Sequence, residues 1–255
     1  MDLRSKLKRG KLTVGSWITI GDESVAEIMA NAGFDWLTID MEHSAITLDK
    51  AQNLIRVIDL CGVTPLVRVS ENDPTLIKRV MDAGSHGVIV PMVNSSDDAE
   101  AAVKAVKYPP TGKRGVGLAR AQGYGLKFEA YKKWLRENSM VIVQIEHIEG
   151  VKNLEEILSV KGVDAFMVGP YDLSASLGYP GEFDRPGMRN ALKKIMSVSK
   201  RLKVSAGFHV VQPDIGALKQ RVGEGFSFIA YSFDALFLAG ACGESIANIR
   251  GLRKR

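Results

Sequence analysis

Two acidic residues of the sequence each come at the end of a short apolar run. Glu146 closes the run in "VIVQIE", and Asp172 follows the run in "DAFMVGPYD". Mg²⁺ and Mn²⁺ take one or two protein carboxylates and keep other positions for water and substrate oxygens, so this pair predicts a site for a hard divalent cation. Either acid alone could instead cap a helix or pair with a lysine. Their occurrence after neighbouring runs favours the metal.

A second polar group follows the apolar run "WLTI". Asp40, Glu42 and His43 come close together there, and Arg68 ends the next run, "TPLVR". A guanidinium stays charged and presents a fork of donors, so Arg68 suits an anionic substrate, although a buried salt bridge to Asp40 or Glu42 would also explain it. Histidine exchanges protons near neutral pH, which makes His43 a candidate base. The alternative is that His43 caps the next helix.

The elements that carry these residues form a regular series. Helix-like segments with charged faces alternate with eight apolar runs, which are TVGSWITI, FDWLTID, VTPLVRVS, GVIVPMV, SMVIVQIE, DAFMVG, VSAGFHV and FSFIAYS. Nearly continuous apolar runs are typical of parallel strands covered on both faces. Eight βα units in a chain of this length predict a single (β/α)8 TIM barrel over residues 1–255. An open doubly wound sheet is disfavoured because no G-x-G-x-x-G turn follows the first run.

In such a barrel the catalytic groups come from the carboxyl ends of the strands. Seven of the runs end in groups that could share this rim, namely Trp17, Asp40, Glu42, His43, Arg68, Gln144, Glu146, Asp172, His209, Ser232 and Asp234. Side-chain alternation places Gln144 and Glu146 on one face of their strand and His147 on the other, so we interpret His147 as structural. His86 precedes a strand and is expected at the opposite rim. His209 is either a substrate contact or a packing residue.

Composition narrows the class of protein further. The chain has 255 residues, of which 45% are hydrophobic and 25% charged, and its net charge of +5 shows only small clusters in "RSKLKRG" and "RGLRKR". We therefore expect no nucleic-acid partner. No apolar run approaches the roughly 18 residues that span a bilayer, so we expect no membrane partner and a cytoplasmic location. Cys61 and Cys242 lack C-x-x-C spacing and are expected to be buried thiols.

Several motifs together resemble a known family. "DWLTIDMEHS", "PLVRVSENDP", "YPPTGKRGVG", "VQIEHIEGVKNLEEI" and "GPYDLSASLGY" are similar to motifs of the HpcH/HpaI metal-dependent pyruvate aldolases, and the similarity runs through nearly the whole chain. The resemblance implies a barrel of the phosphoenolpyruvate/pyruvate-domain type. It also implies retro-aldol cleavage of a 4-hydroxy-2-oxoacid to pyruvate and an aldehyde, with Mg²⁺, Mn²⁺ or Co²⁺ as cofactor.

The resemblance assigns binding roles to particular residues. Glu146 and Asp172 would hold the metal. Gln144, with the backbone of Tyr171 and Asp172, would hold the pyruvate portion of the substrate. Trp17, at the end of the first run, is expected to contact the substrate as well.

The resemblance also assigns the catalytic roles. Arg68 would stabilise the developing enolate, His43 would be the base, and Asp82 would raise the basicity of that histidine. Asp82 lies at the end of a helix-like segment, however, and so at the rim opposite His43 within one chain. Three explanations stay open: different element boundaries, a contribution of Asp82 to the site of a neighbouring subunit, or a structural role.

The family likeness implies a homo-oligomer of dimers that exchange a C-terminal helix and assemble into hexamers. The apolar stretch "DALFLAGACGESIANIRGL" is compatible with burial against a neighbour. The long irregular segment "YPPTGKRGVGLARAQGYGLKFEAYKKWL" suits a lid or a subunit contact.

Two other functions compete with the aldolase. A lyase of the citrate-lyase β-chain type would act on a CoA thioester with the same acids, and it would need a basic groove whose only candidates are Lys113, Arg114 and Arg120. A non-catalytic barrel that binds a 2-oxoacid would be expected to lack at least one catalytic group, yet His43, Arg68 and both acids are present.

Overall fold

A closed barrel of parallel strands forms the centre of the molecule. The computed structural model describes residues Met1–Leu252, so the last three residues of the C-terminal basic cluster and of the predicted 1–255 domain lie outside it. The strands are β1 (Thr13–Ile18), β2 (Trp36–Asp40), β3 (Thr64–Arg68), β4 (Gly87–Val90), β5 (Met140–Ile145), β6 (Ala165–Val168), β7 (Ser205–Val210) and β8 (Phe228–Phe233). Each strand pairs with the next, and β8 pairs with β1. The predicted (β/α)8 barrel is confirmed, and the open sheet is excluded.

Helices connect the strands on the outside of the barrel. They are α1 (Leu3–Lys8), α2 (Glu23–Asn31), α3 (Leu48–Leu60), α4 (Pro74–Ala83), α5 (Ser96–Val106), α6 (Phe128–Asn138), α7 (Ile148–Lys152), α8 (Leu154–Ser159), α9 (Pro170–Ser176), α10 (Pro186–Leu202), α11 (Ile215–Glu224) and α12 (Asp234–Leu252). The sequence marks many of their ends. Helix α4, for example, has Asp73 as N-cap, Pro74 in its first turn and Gly84 with a φ of 104° as C-cap, each of which is a favoured residue at that position.

The interior of the barrel is closed at its amino-terminal end. Leu3 and Leu7 of α1 are buried in the same cluster as Trp36, Phe228 and other inward-facing strand residues. The Trp36 and Phe228 rings pack with centroids 4.4 Å apart. A Cβ on Gly15 would come within 2.0 Å of the Trp36 ring, so only glycine fits beside it on β1. Helix α1 therefore acts as a plug, and the barrel opens only at the carboxyl ends of the strands.

The larger part of the core lies between the strands and the surrounding helices. It contains outward-facing residues of the strands, such as Ile39, Val67, Val143 and Phe166, which are fully buried against the helices. Both faces of every strand are thus covered, which explains the almost continuous apolar runs in the sequence. No helix within Met1–Leu252 is long and apolar enough to cross a membrane.

The expectation that both cysteines are buried is wrong. Cys61 caps the end of α3 and is only partly buried, whereas Cys242 is exposed on α12. The reason for the second error is the position of α12: from Leu238 to Leu252 its residues are exposed to solvent, although many are apolar. Within a single chain, this helix therefore offers no core in which the thiol could be buried.

Candidate active site

The carboxyl ends of the strands surround a pocket of about 340 Å³. Six residues that the sequence predicted for the site line it, namely Trp17, His43, Arg68, Gln144, Tyr171 and Asp172. His209 lines it as well, which favours a substrate contact over a purely packing role for this residue. His147 instead caps α7, where its Nδ1 accepts a hydrogen bond from the Glu149 N–H at 3.2 Å. His86 pairs with Asp59 at 3.3 Å just before β4.

Arg68 is fixed by two acids from the strand beside it. β2 and β3 are in register at Asp40 and Arg68. Arg68 donates from Nε and Nη2 to the two carboxylate oxygens of Asp40 at 2.9 and 2.7 Å, and its Nη1 lies 3.2 Å from Glu42. Burial opposes ionisation of Asp40, but the hydrogen bonds and charge of Arg68 hold the pKa of Asp40 below its ordinary value. The salt bridge considered as an alternative for Arg68 is therefore present, and the guanidinium still lines the pocket.

Glu42 adds a second carboxylate beside Arg68, next to the pocket. Burial raises the pKa of Glu42 to about 7 against the attraction of Arg68, and the negative charges of Glu146, Asp40 and Asp172 raise it further. The pocket therefore carries more negative charge than its arginine neutralises. A bound cation would relieve this repulsion.

Glu146 is buried at the end of β5 and is held from two sides. Its Oε1 accepts a hydrogen bond from the backbone N–H of Met92 at 2.7 Å, and its Oε2 accepts one from Nε2 of Gln144. Burial, reinforced by the negative charge of Asp172, raises the pKa of Glu146, although these hydrogen bonds oppose the shift. A Cβ on Gly169 would lie 2.8 Å from Oε2, so the glycine allows the start of α9 to approach the carboxylate closely.

No feature of the sequence indicated that Met92 contributes to the site. It lies after β4, the one strand without a polar residue at its end, and it contributes only its backbone. Its φ of 52° belongs to the left-handed region that methionine rarely adopts, and no glycine marks the turn. Asn94 and the capping box of α5 follow this turn, and they are the only local signals of a tight connection.

Helix α9 presents backbone groups to the same pocket. Gly169 is its N-cap, Pro170 occupies its first turn, and Tyr171 and Asp172 follow. The first N–H groups of a helix have no partner within the helix. Those of Tyr171 and Asp172 are therefore placed where a substrate carboxylate could accept from them, while the Asp172 side chain is exposed at the pocket.

The donor set fits a hard divalent ion. Within Met1–Leu252 no three histidine, cysteine or acidic side chains come together in a geometry that could hold a metal. Two carboxylates with oxygens from substrate and water are nevertheless a common arrangement for Mg²⁺ and Mn²⁺. Burial and the charge of Asp172 raise the pKa of Glu146, and a bound cation would lower it again by stabilising the ionised carboxylate. Glu146 and Asp172 are therefore suited to such an ion.

His43 lies at the mouth of the pocket. Its side chain is 65% exposed, and its Nε2 lies 3.8 Å from Glu42. The Asp40 carboxylate accepts from the backbone N–H of His43 at 3.3 Å, which fixes the turn after β2. The imidazole is thus anchored through its backbone and free to meet a substrate.

Asp82 lies outside this pocket. It is near the end of α4, where its Oδ1 accepts from Nη2 of Arg114 at 2.6 Å and from Nε2 of Gln122 at 3.2 Å. The ends of the barrel helices are at the rim opposite the carboxyl ends of the strands. Asp82 is therefore not a neighbour of His43 within one chain, and its role at a neighbouring subunit's site stays a prediction.

The protein is a (β/α)8 barrel whose pocket lies at the carboxyl ends of the strands. Enzymes with this fold carry their active sites at that end of the barrel. The sequence model of the HpcH/HpaI aldolase/citrate lyase family matches residues 13–241. The protein belongs to this family, as its motifs indicated, and the prediction of an enzyme of the lyase class is confirmed.

Individual relatives agree with this assignment. The chain is 35% identical to the hydroxypyruvate/pyruvate aldolase of Paraburkholderia phytofirmans, with 97% of each chain covered. It is 34% identical to the 2-keto-3-deoxy-L-rhamnonate aldolase of Escherichia coli, with 97% of this chain and 92% of the relative covered. The crystal structure of an HpcH/HpaI aldolase/citrate lyase family protein from Burkholderia cenocepacia superposes with a TM-score of 0.92 at 33% identity, covering 97% and 98% of the two chains.

Proposed function

We propose that the protein is a divalent-metal-dependent aldolase that cleaves a 4-hydroxy-2-oxoacid to pyruvate and an aldehyde. The observation that carries this proposal is the buried Glu146 carboxylate, whose raised pKa and position near Asp172 call for a cation at the end of the barrel. The names of the aligned relatives support the reaction class.

Glu146 and Asp172 would hold the ion, which is Mg²⁺, Mn²⁺ or Co²⁺. When bound, it would polarise the 2-oxo group and offset the negative charge of the cleaved substrate. Gln144 would orient the pyruvate portion, since its amide lines the pocket beside Glu146. The N–H groups of Tyr171 and Asp172 would donate hydrogen bonds to the substrate carboxylate at the start of α9.

Arg68 would stabilise the negative charge that develops on the oxo oxygen as the C3–C4 bond breaks. Its guanidinium is held in place by Asp40 and lies 4.4 Å from the centre of the Trp17 ring. A donor fixed before the reaction need not reorganise during it, which is the main advantage of an enzyme over water in stabilising such charge. Trp17 would thus contribute by positioning Arg68 as well as by contacting substrate.

His43 would take the proton from the 4-hydroxyl group as the C3–C4 bond breaks, and it would return a proton to the same oxygen in the reverse addition. The enolate left by cleavage would become pyruvate by gaining one proton at C3 from water. Its exposed imidazole at the pocket mouth is compatible with this role, because the hydroxyl belongs to the departing half of the substrate. Asp82 of a second subunit would complete the base in the assembled enzyme.

The thioester lyase is less compatible with the positions of the basic residues. Arg114 is buried, bonded to Asp82 and Tyr131, and Arg120 is paired with Asp59 at 3.0 Å. Only Lys113 of the three candidates is left to bind the phosphates of a CoA group. The non-catalytic alternative is disfavoured because His43, Arg68 and Asp172 line the pocket, and Glu146 is hydrogen-bonded to Gln144, which also lines it.

We further propose that the chain forms a homo-oligomer in which α12 packs on a neighbouring subunit. Leu238, Ile246, Ile249 and Leu252 of this helix are 48–72% exposed in the single chain. The irregular segment between α5 and α6 exposes Val116, Leu118, Tyr124 and Leu126, of which the last is 93% exposed. Apolar surface of this extent is typical of contacts between subunits.

The reaction is tested by measuring pyruvate release, coupled to lactate dehydrogenase, from a panel of 4-hydroxy-2-oxoacids. Citramalyl-CoA is assayed in the same way as the thioester substrate of the competing lyase. Protein stripped with EDTA is assayed with and without Mg²⁺, Mn²⁺ or Co²⁺. The proposal predicts metal-restored release from at least one 4-hydroxy-2-oxoacid. Release from the thioester alone would establish the competing lyase instead, and silence with all substrates would favour the binding protein.

A further inference from the structure

One wall of the pocket is formed by Trp17 of β1 and His209 of β7, which the proposed reaction uses only in part. Trp17 is 2% exposed, and its ring packs against His209 with centroids 5.4 Å apart. Ser232, at the end of β8, is fully buried and has a φ of 53°. Trp17 and His209, with Ser232 beside His209, are together called the β1–β7–β8 wall.

Polar atoms of this wall lack partners. Within the described residues, Nε1 of Trp17, Nε2 of His209 and Oγ of Ser232 are buried without a hydrogen bond. A buried polar group without a partner destabilises the folded protein, and such groups occur in native proteins chiefly where a ligand or water completes them. The same wall could have been built from apolar side chains, as Val211 beside it shows.

The wall is polar but carries no free positive charge. Burial and the nearby Arg68 lower the pKa of His209 to about 3, so its imidazole is neutral at physiological pH. Arg68 is already matched by Asp40 and Glu42. The remaining charge in the pocket is that of the acids Asp172 and Glu146, which the metal would offset.

We propose that His209 is the specificity-determining residue for the aldehyde half of the substrate, and that this half is an uncharged hydroxyaldehyde. The inference rests on the proposed aldolase function and names its substrate class. A neutral imidazole can accept or donate a hydrogen bond to a hydroxyl group. A second carboxylate would find no unpaired cation on the β1–β7–β8 wall, and it would meet the pocket's own acids.

The position of His209 relative to the reacting groups agrees with this role. The metal ligands and the pyruvate contacts come from β5 and the β6–α9 connection, whereas His43 follows β2. The β1–β7–β8 wall lies between these two groups around the closed barrel, since β7 adjoins β6 and β1 adjoins β2. His209 therefore lies on one of the two arcs that join the metal ligands to His43, and it lines the same pocket as Asp172 and His43.

The test measures the reverse reaction, addition of pyruvate to an aldehyde, with four acceptors: propanal, 2-hydroxypropanal, 2,3-dihydroxypropanal and succinic semialdehyde. We expect kcat/KM of the native enzyme for 2-hydroxypropanal to exceed that for propanal and for succinic semialdehyde by about tenfold each, the effect of one good hydrogen bond. His209→Leu is expected to reduce the hydroxypropanal-to-propanal ratio to about one, and His209→Gln to retain most of it. His147→Leu, which replaces a half-buried histidine outside the pocket, is the matched control and should leave the ratio unchanged.

A second measurement separates this inference from the proposed function. Exchange of the pyruvate methyl protons for deuterium, followed by NMR, reports activation of pyruvate without any aldehyde. If exchange occurs but the native enzyme prefers propanal or succinic semialdehyde, or if His209→Leu retains the native ratio in a folded protein, the role of His209 is overturned while the aldolase stands. If neither exchange nor addition occurs, the proposed function fails and the inference with it.

Discussion

Asp40 and Arg68 lie opposite each other on neighbouring strands and are joined by two hydrogen bonds of 2.9 and 2.7 Å at the carboxyl end of the barrel. The Asp40 carboxylate is 2% exposed and also accepts hydrogen bonds from the backbone after β2. Asp40 thus orients both the Arg68 guanidinium and the turn that carries His43. The pair links the stability of the barrel rim to the geometry of the candidate active site.

Because this pair is buried, Arg68→Ala is expected to impair both folding and catalysis. It leaves the Asp40 charge without its partner, and breaking a buried pair in this way costs about 3–5 kcal/mol. Turnover should fall by about 10²–10³-fold through loss of charge stabilisation. Urea unfolding and the pyruvate-release assay measure the two effects. The double variant Asp40→Asn/Arg68→Ala serves as control and should recover part of the stability but none of the activity. An Arg68→Ala protein as stable as the native one would contradict a stabilising role of the Asp40–Arg68 pair.

Glu42 is expected to make the metal-free protein less stable as the pH rises. Its pKa is about 7 in the folded state and 4.5 for an unperturbed glutamate, so between these values the folded state binds more protons than the unfolded state. The Glu42 contribution is therefore lost as pH rises from 4.5 to 7, by an amount on the order of 3 kcal/mol. Urea unfolding in EDTA at pH 5 and pH 7.5 measures it. Glu42→Gln should show a smaller fall over this interval, and an equal fall in both proteins would rule out Glu42 as the cause.

Glu146→Gln is expected to abolish metal binding without destabilising the apo-protein. The substitution removes a buried negative charge near Asp172, and the amide oxygen can still accept from the Met92 N–H. Thermal unfolding in EDTA should show the variant to be at least as stable as the native protein. Saturating Mn²⁺ should then stabilise only the native protein, by about 2.7 kcal/mol at one hundred times its Kd. Equal stabilisation of both proteins by Mn²⁺ would place the metal elsewhere.

Substitution of α12 is expected to change the assembly of the protein. Ile246→Ser combined with Ile249→Ser removes two exposed apolar side chains that make no core in the single chain, so folding should persist while the oligomer dissociates. Light scattering coupled to size-exclusion chromatography gives the mass. Ile28→Ser on α2, where the native side chain is 70% exposed, is the control. A native protein that is a monomer at micromolar concentration would remove this proposal and the contribution of Asp82 to a neighbouring site.

The sequence predicted the barrel because the evidence for it is repeated eight times. Each apolar run is buried on both faces, so its composition alone indicates a covered parallel strand. The inward direction of Gln144 and the outward direction of His147 follow from strand alternation, and both agree with the structure. Properties that depend on one strand and its period could therefore be anticipated.

Contacts between distant segments could not be anticipated in the same way. The backbone of Met92 reaches Glu146 through an unusual left-handed turn, and α1 closes the barrel from a position before the first strand. The exposure of Cys242 depends on where α12 lies, which its apolar composition does not specify. Each of these outcomes is set by three-dimensional packing of segments whose own sequences carry no pattern for it.

The most direct test of a metal site at Glu146 and Asp172 is the rate of pyruvate release as Mn²⁺ is titrated into EDTA-stripped protein, with a 4-hydroxy-2-oxoacid at saturating concentration. We expect almost no release without metal, a saturable rise with Mn²⁺ in the native protein, and no rise in Glu146→Gln. Full activity of the stripped protein, or equal restoration of Glu146→Gln by Mn²⁺, would contradict the metal-dependent mechanism.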